Sequence, residues 1–450
     1  MRVKELGIIL TLICLFSSTN SQEEDPCKQE YKCPHSTGNF ADPCTCRRFY
    51  KCDGFVAYKN ICPTGLHWDD LRKYCNFKTE AVCGPLPEGE PKIKEDVEAA
   101  DKCDPEKCAL PYCYCSKDGT KAPTENPPQI ILLMLEGAVN QNNYFHYVKL
   151  LNHTQRDTNC KIKATFFLRH EYSNYRQIQQ LYADGNELAL SSMTSTTSLQ
   201  NENATTWRTE LNVLKETLKR FSSVPSEDIL GVRAPGLKPG HNTQYEVMVE
   251  DEYVWDSSVT TYPLDKPVWP YTLDYSIPHK CKISSCPKKA FPGLWEIPLN
   301  LHFVKEEGGG ECPSLDQCIF THQSSDDIFN WLKQDFERFY NQNRAPYTFP
   351  FHTNWFTHPT QVEGLLKFIT WSLTQKDVYY MTVTELLIWM TEPDNSQLPI
   401  TLARSCEDND RPQPCSKGHT CELPHTEPGG IETLRYMATC YECPHRYPWV

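Results

Sequence analysis

Twenty-three cysteines in 450 residues constrain this chain more than any other feature. A reducing compartment has little use for so many thiols, so the count predicts an oxidising environment and a disulfide-stapled fold. Cys14 lies in an N-terminal stretch where Arg2 and Lys4 precede an apolar run from Leu6 to Phe16, and small residues follow to Ser21. That layout is a secretory signal peptide over residues 1–21. The run is too short for the roughly 20 apolar residues of a membrane span. No later stretch is longer, so the protein is expected to be secreted and extracellular, without membrane insertion. Loss of Cys14 leaves 22 cysteines, an even number that permits complete pairing.

The remaining cysteines divide the chain. Eight fall between Cys27 and Cys83, four crowd between Cys103 and Cys115, and five close the chain from Cys406 to Cys443. A Pro/Gly/Glu/Lys-rich stretch, 85–102, separates the first group from the rest and reads as a linker. The expected organisation is therefore a small module at 22–84, a long domain at 103–404 and a cysteine-rich extension at 405–450. The net charge of −13 excludes nucleic acid as a partner, since phosphate binding needs Lys/Arg clusters. It leaves neutral polymers open. Asn152-His-Thr154 and Asn203-Ala-Thr205 are acceptor sequons for N-glycans in such a compartment.

The long middle segment alternates strand and helix signals. Ile130–Leu135 is a continuous apolar run bounded by polar and turn residues, the mark of a strand buried on both faces. Lys163–Leu168, Glu187–Leu190 and Val378–Thr382 are similar. Trp207, Leu211, Leu214, Leu218 and Phe221 form one face of an amphipathic helix, as do Ile328, Leu332, Phe336 and Phe339 after a Ser-Ser-Asp-Asp cap. Repeated β-α units predict an α/β fold with parallel strands, in a barrel or an open doubly wound sheet. In a barrel, function sits at the C-terminal ends of the strands.

The segment Cys27–Cys83 is too small to bury enough apolar surface unaided, so disulfides are expected to hold it together. Phe40-Ala-Asp-Pro-Cys44-Thr-Cys46-Arg-Arg-Phe49-Tyr50-Lys-Cys52, Cys62-Pro-Thr-Gly65-Leu66-His-Trp68 and Tyr74-Cys75-Asn76 resemble a peritrophin-A type chitin-binding module. The resemblance implies the pairs Cys33–Cys52, Cys46–Cys83 and Cys62–Cys75, leaving Cys27 to Cys44. It also implies that exposed aromatic rings stack on N-acetylglucosamine, with Tyr50, Tyr58 and Trp68 as candidates.

From Cys103 onward, Cys160-Lys-Ile-Lys-Ala-Thr-Phe-Phe167, Gly231-Val-Arg-Ala-Pro235, Asp256-Ser-Ser258, Trp269-Pro-Tyr271 and His352-Thr-Asn-Trp355 resemble the arthropod chitin deacetylases of the polysaccharide (NodB-like) deacetylase superfamily. The resemblance implies a distorted (β/α) barrel and a zinc ion held by one Asp and two His. A second Asp then acts as base and a His as acid. Here Glu136 stands at the base position and Gly137 at the metal Asp; Ser191 and Ser195 stand at the two metal His. Arg233 matches the residue that orients the base, His352 the acid, and Asp256 the carboxylate partner of that acid.

With no ligand position intact, no metal cofactor is expected, since zinc normally takes at least three protein donors. The reading is a chitin-binding protein, without deacetylase activity, that acts in organising a chitinous matrix such as cuticle or peritrophic matrix. Its partners are chitin or chitin oligosaccharides, with other matrix proteins in second place. The alternative is an active deacetylase using an unconventional site around Glu136 and His352.

Overall fold

The computed structural model describes residues 31–62, 66–70, 73–77, 81, 83–84, 99–262, 266–304, 310–318, 320, 324–407, 410–427 and 430–450. The expected signal peptide, Cys27 and most of the expected linker lie outside them.

In the N-terminal module, β1 (Thr37–Ala41), β2 (Arg48–Asp53) and β3 (Val56–Ile61) form an antiparallel sheet, and β4 (Leu66–Asp69) pairs with β5 (Tyr74–Phe77). Disulfides Cys33–Cys52, Cys46–Cys83 and Cys62–Cys75 cross-link them as the resemblance implies, and Cys44 is also disulfide-bonded. What apolar core the module has is aromatic. Trp68 is 1% exposed and stacks on Phe49 with ring centroids 4.1 Å apart. Its indole Nε1 donates to Asp70 at 3.0 Å.

The long domain is built on β6 (Gln129–Gly137), whose run Ile-Ile-Leu-Leu-Met-Leu is buried on both faces. A strand buried on both faces reads as continuous rather than alternating. The other strands are β7 (Ala164–Arg169), β8 (Glu187–Ser192), β9 (Gly231–Val232), β10 (Trp255–Asp256), β11 (Tyr271–Leu273) and β12 (Phe291–Glu296). A separate antiparallel pair is β13 (His302–Phe303) with β14 (Glu311–Cys312), and β15 (Tyr347–His352) and β16 (Val378–Tyr380) complete the sheet. The strand order is β11-β12-β10-β9-β8-β7-β6-β15, with β16 also on β6. Every pairing is parallel except β11–β12. The outer strands β11 and β15 are not paired with each other among the described residues, so the barrel is distorted and unclosed. At β9–β10, Gly231 lies opposite Trp255, and a Cβ there would fall 2.1 Å from the indole. Only glycine fits.

The helices are α1 (Gln141–Leu151), α2 (Tyr175–Ala183), α3 (Ala204–Ser222), α4 (His241–Glu250), α5 (Ser325–Tyr340), α6 (Pro359–Ser372), α7 (Val383–Thr391) and α8 (Leu398–Glu407). Capping boxes start α1 at Asn140, α5 at Ser324 and α7 at Thr382. The apolar stripe of α3, from Trp207 to Phe221, is buried. Helix α8 runs across the boundary expected at 404/405 and is tied by Cys160–Cys406 to the loop before β7. A final hairpin, β17 (His419–Glu427) with β18 (Ile431–Thr439), is stapled by Cys415–Cys440 and Cys421–Cys443. It docks on α2, where Arg176 Nε donates to the Cys415 carbonyl at 2.8 Å. Among the described residues no helix is long and apolar enough to cross a membrane.

Candidate functional site

The C-terminal ends of β6, β7 and β15, with the loop between Cys312 and Cys318, bring four charged groups together. Glu136 and His352 lie directly opposite each other in the β6–β15 register. His352 Nε2 faces the Glu136 carboxylate at 3.6 Å, while His352 Nδ1 donates to Asp316 at 3.0 Å. The Asp316 carboxylate also accepts from the His352 backbone N–H at 3.0 Å. On the other side, Arg169 Nη2 donates to Glu136 at 3.1 Å. The order is Asp316, His352, Glu136, Arg169, with charges alternating along it.

Electrostatics lock this row. Burial alone would raise the Glu136 carboxyl, but the hydrogen bond and charge of His352, then Arg233 and Arg169, pull it down to about 2. Burial would lower His352, yet Asp316 and Glu136 lift it to about 10. The sign of the stability effect follows. Glu136 contributes stability above its ordinary 4.5 that is lost as pH falls through about 2. His352 contributes stability in full below its ordinary 6.5 that is lost as pH rises through about 10. The thermal midpoint is therefore expected to be highest between pH 4.5 and 6.5 and to fall towards pH 10. Melting curves of the wild type and of His352→Gln check this, since the variant should lose most of the alkaline slope.

Two expected roles change. Asp256 is not the partner of His352. It is wholly buried elsewhere, accepting from Gln244 at 2.6 Å and from the Ser258 hydroxyl at 2.8 Å, and hydrogen-bonded to Glu296. Burial first, and then the Asp256 charge, raise the Glu296 carboxyl, and burial raises Asp256 as well. Asp316 holds the histidine instead. Its sequence signal is an acid inside the short Cys312–Cys318 loop. Arg233 does not touch Glu136: it donates to the Ser257 carbonyl at 2.8 Å, stacks over Phe167 and acts on Glu136 only through its field. Arg169 makes the direct contact. A cation ending an apolar strand was its signal.

Of the three positions at issue for a metal, Gly137 ends β6, Ser191 lies near the end of β8 and Ser195 follows just after it. Gly137 has φ +133°, a left-handed value that L side chains rarely adopt, and a Cβ there would sit 3.3 Å from Thr353 Cγ2. Ser191 is wholly buried, and its hydroxyl has no hydrogen-bond partner among the described residues. Ser195 is left-handed at φ 55° and donates its N–H to Ser192 Oγ at 2.9 Å. These positions offer no carboxylate, imidazole or thiolate, and so do not fit zinc. Among the described residues one group of three metal-ligating side chains converges, Cys46, His67 and Cys83, and both sulfurs belong to one disulfide.

A cleft of about 1130 Å³ opens over the row of charges, lined by Glu136, Gly137, Arg169, Ser195, Asp316 and His352 at its floor. Loop residues after β7 and the β17–β18 hairpin form its rim. In the module, Tyr58 is 54% exposed, as a platform for a sugar ring must be, and Phe55 and Tyr74 are exposed too. Tyr50 is half-buried and stacks on Tyr31 with centroids 3.9 Å apart. Trp68 is a correction: it belongs to the module's core, because so small a sheet has few other apolar side chains to bury.

Residues 33–83 match the Chitin binding Peritrophin-A domain. Over 404 residues the chain is 32% identical to Chitin deacetylase 1 of Bombyx mori, covering 84% of this chain and 72% of that protein. It is 30% identical over 365 residues to Chitin deacetylase 8 of the same organism, covering 78% and 92% respectively. Among solved structures, the chitin deacetylase of Colletotrichum lindemuthianum aligns with a TM-score of 0.32 at 14% identity, over 62% of this chain and 94% of that one. The two Bombyx mori proteins, at 30% identity or more across most of both lengths, leave one conclusion: the chain belongs to the chitin deacetylase family, and it carries a peritrophin-A chitin-binding domain at its N-terminal end.

Proposed function

We propose that this protein is a secreted, non-catalytic member of its family that binds chitin through the peritrophin-A domain and acts in organising an extracellular chitin matrix. The observation that carries this reading is the set Gly137, Ser191 and Ser195 at the positions where the resemblance places the metal ligands. Without a Lewis acid, several kcal/mol of transition-state stabilisation are missing from an amide hydrolysis.

A metal-free route through Glu136 and His352 fares poorly on the same geometry. A general base works best with a pKa near the working pH. Glu136 at about 2 is a feeble base, and His352 at about 10 a reluctant acid. Each is spent on holding the other. The disulfides, the apolar leader and the chitin-binding domain support secretion into a chitinous matrix. Asn152 and Asn203 are both exposed and are the proposed glycan carriers.

The test measures bound zinc in the purified protein and acetate released from chitin oligomers, with and without added Zn²⁺. The expected result is substoichiometric zinc and acetate no faster than a no-protein control. Stoichiometric zinc with steady turnover would overturn the proposal. In parallel, Tyr58→Ala is expected to weaken retention of the full chain on chitin beads, and unchanged retention would move the contact to other rings.

A further inference from the structure

We infer that the outer face of helix α1 is a seat for the N-linked glycan of Asn152, with Phe145 and Val148 as the apolar ground on which its first two N-acetylglucosamine rings lie. The inference rests on the proposal that Asn152 carries a glycan and says where that glycan goes.

An amphipathic helix turns its apolar stripe to the core and its polar face to water. Helix α1 buries Tyr147, Leu150 and Leu151 accordingly, yet it leaves Phe145 67% and Val148 45% exposed. One exposed apolar residue is ordinary. These two stand three residues apart on one face, and Asn152 follows four residues later as the C-cap. At 3.6 residues per turn, positions 145, 148 and 152 fall within about 60° of one another, and Phe145 lies about 10 Å from Asn152 along the axis. The φ of −82° at Asn152 keeps that residue on the helical path. Side chains on a helix lean towards its N-terminus, so the Asn152 carboxamide leans back over Val148 rather than out past the helix end.

Both the sequon and the ring are held in place. The Ile162 N–H donates to the His153 carbonyl at 2.9 Å, and Thr154 forms an antiparallel bridge with Lys161. Phe145 meets the His146 ring edge-on at 5.7 Å, and His146 in turn stacks on Phe356. N-acetylglucosamine presents an apolar ring face and an acetyl methyl, which suit an exposed aromatic ring beside an aliphatic side chain. Fixing that surface beforehand lowers the entropy lost when the sugar settles on it. The second sequon is an internal contrast. Asn203 is the N-cap of α3, its carboxamide oxygen accepts from the Thr206 N–H at 3.0 Å, and α3 exposes no large apolar side chain. A glycan there has nothing apolar on its own helix to lie on.

The experiment uses the full chain secreted from a mammalian cell line, with glycopeptide mass spectrometry reading occupancy at Asn152 and Asn203. Peptide N-glycanase then releases glycans from the native protein, and the rate is read at each site. Release at Asn152 is expected to be about tenfold slower than at Asn203, the scale set by one aromatic contact. Phe145→Ser/Val148→Ser should remove most of that protection and leave the Asn203 rate unchanged, which also shows that the variant folds. Phe145→Trp keeps an aromatic ring and should keep the slow release. In Thr154→Ala, which lacks the glycan, the bared face should bind more of an apolar dye, and adding Phe145→Ser/Val148→Ser should abolish the increase. An Asn152 rate unmoved by the serine pair would overturn the seat while leaving the glycan assignment intact. An empty Asn152 would overturn both, and concentration-dependent dimers in light scattering would then make a second copy of the chain the occupant of this face.

Discussion

Replacing Glu136 by leucine is expected to destabilise the protein by about 3 kcal/mol, read as a shift in the urea midpoint at constant m-value. The carboxylate is almost wholly buried and faces two cations, Arg169 and His352. Its removal leaves both positive charges in the cleft floor, with only Asp316 to balance them. Breaking a buried pair from one side is costly because the surviving partner stays desolvated. Arg169 and His352 keep part of their side chains in water, which places the effect at the lower end of the usual range. Glu136→Gln should lose less, since the amide oxygen still accepts from Arg169. A combined Glu136→Leu/Arg169→Leu/His352→Leu/Asp316→Asn variant should recover much of the loss, because no unpaired charge remains in the row. A single variant as stable as wild type would mean that the row of charges holds nothing together.

The frame of the long domain was legible in the sequence because its signals are local. The apolar run of β6 and the stripe of α3 each report burial directly, and both elements stand where periodicity puts them. The module was legible through cysteines and aromatics in fixed spacing. What spacing does not encode is which side of a small sheet a ring occupies, and Trp68 went to the core for that reason. The partners of His352 were hidden for another reason. Asp316 comes from a disulfide loop remote in sequence, and Arg169 from the neighbouring strand of β6; only the parallel register of β6, β7 and β15 brings them together. Asp256 lies two strands beyond β8, at the β10 end of the sheet, which no motif spacing reveals.

Restoring the three ligands that the family resemblance implies, as Gly137→Asp/Ser191→His/Ser195→His, is expected to destabilise the fold by about 4 kcal/mol and to yield no tight zinc site. The three positions do not resist equally. Ser195 already sits at φ 55°, a region where histidine is several-fold enriched among non-glycine residues, and it is part-exposed at the cleft. Ser195→His alone should be nearly neutral. Gly137→Asp must hold an L side chain at φ +133° with its Cβ against Thr353 Cγ2, a backbone strain of about 1–3 kcal/mol. Ser191→His must place an imidazole where the serine is wholly buried, and overpacking of that kind typically costs about 1–3 kcal/mol. Arg169 adds a further obstacle, because its guanidinium already neutralises Glu136 beside the would-be metal. Urea unfolding of the three single variants and the triple, with zinc titration of each, checks the ranking. Tight stoichiometric zinc in a fully folded triple variant would show that the cleft kept its metal-binding geometry and lost only the donor atoms. Weak binding that improves when Arg169→Ser is added would identify that cation as the group standing where the metal charge once acted.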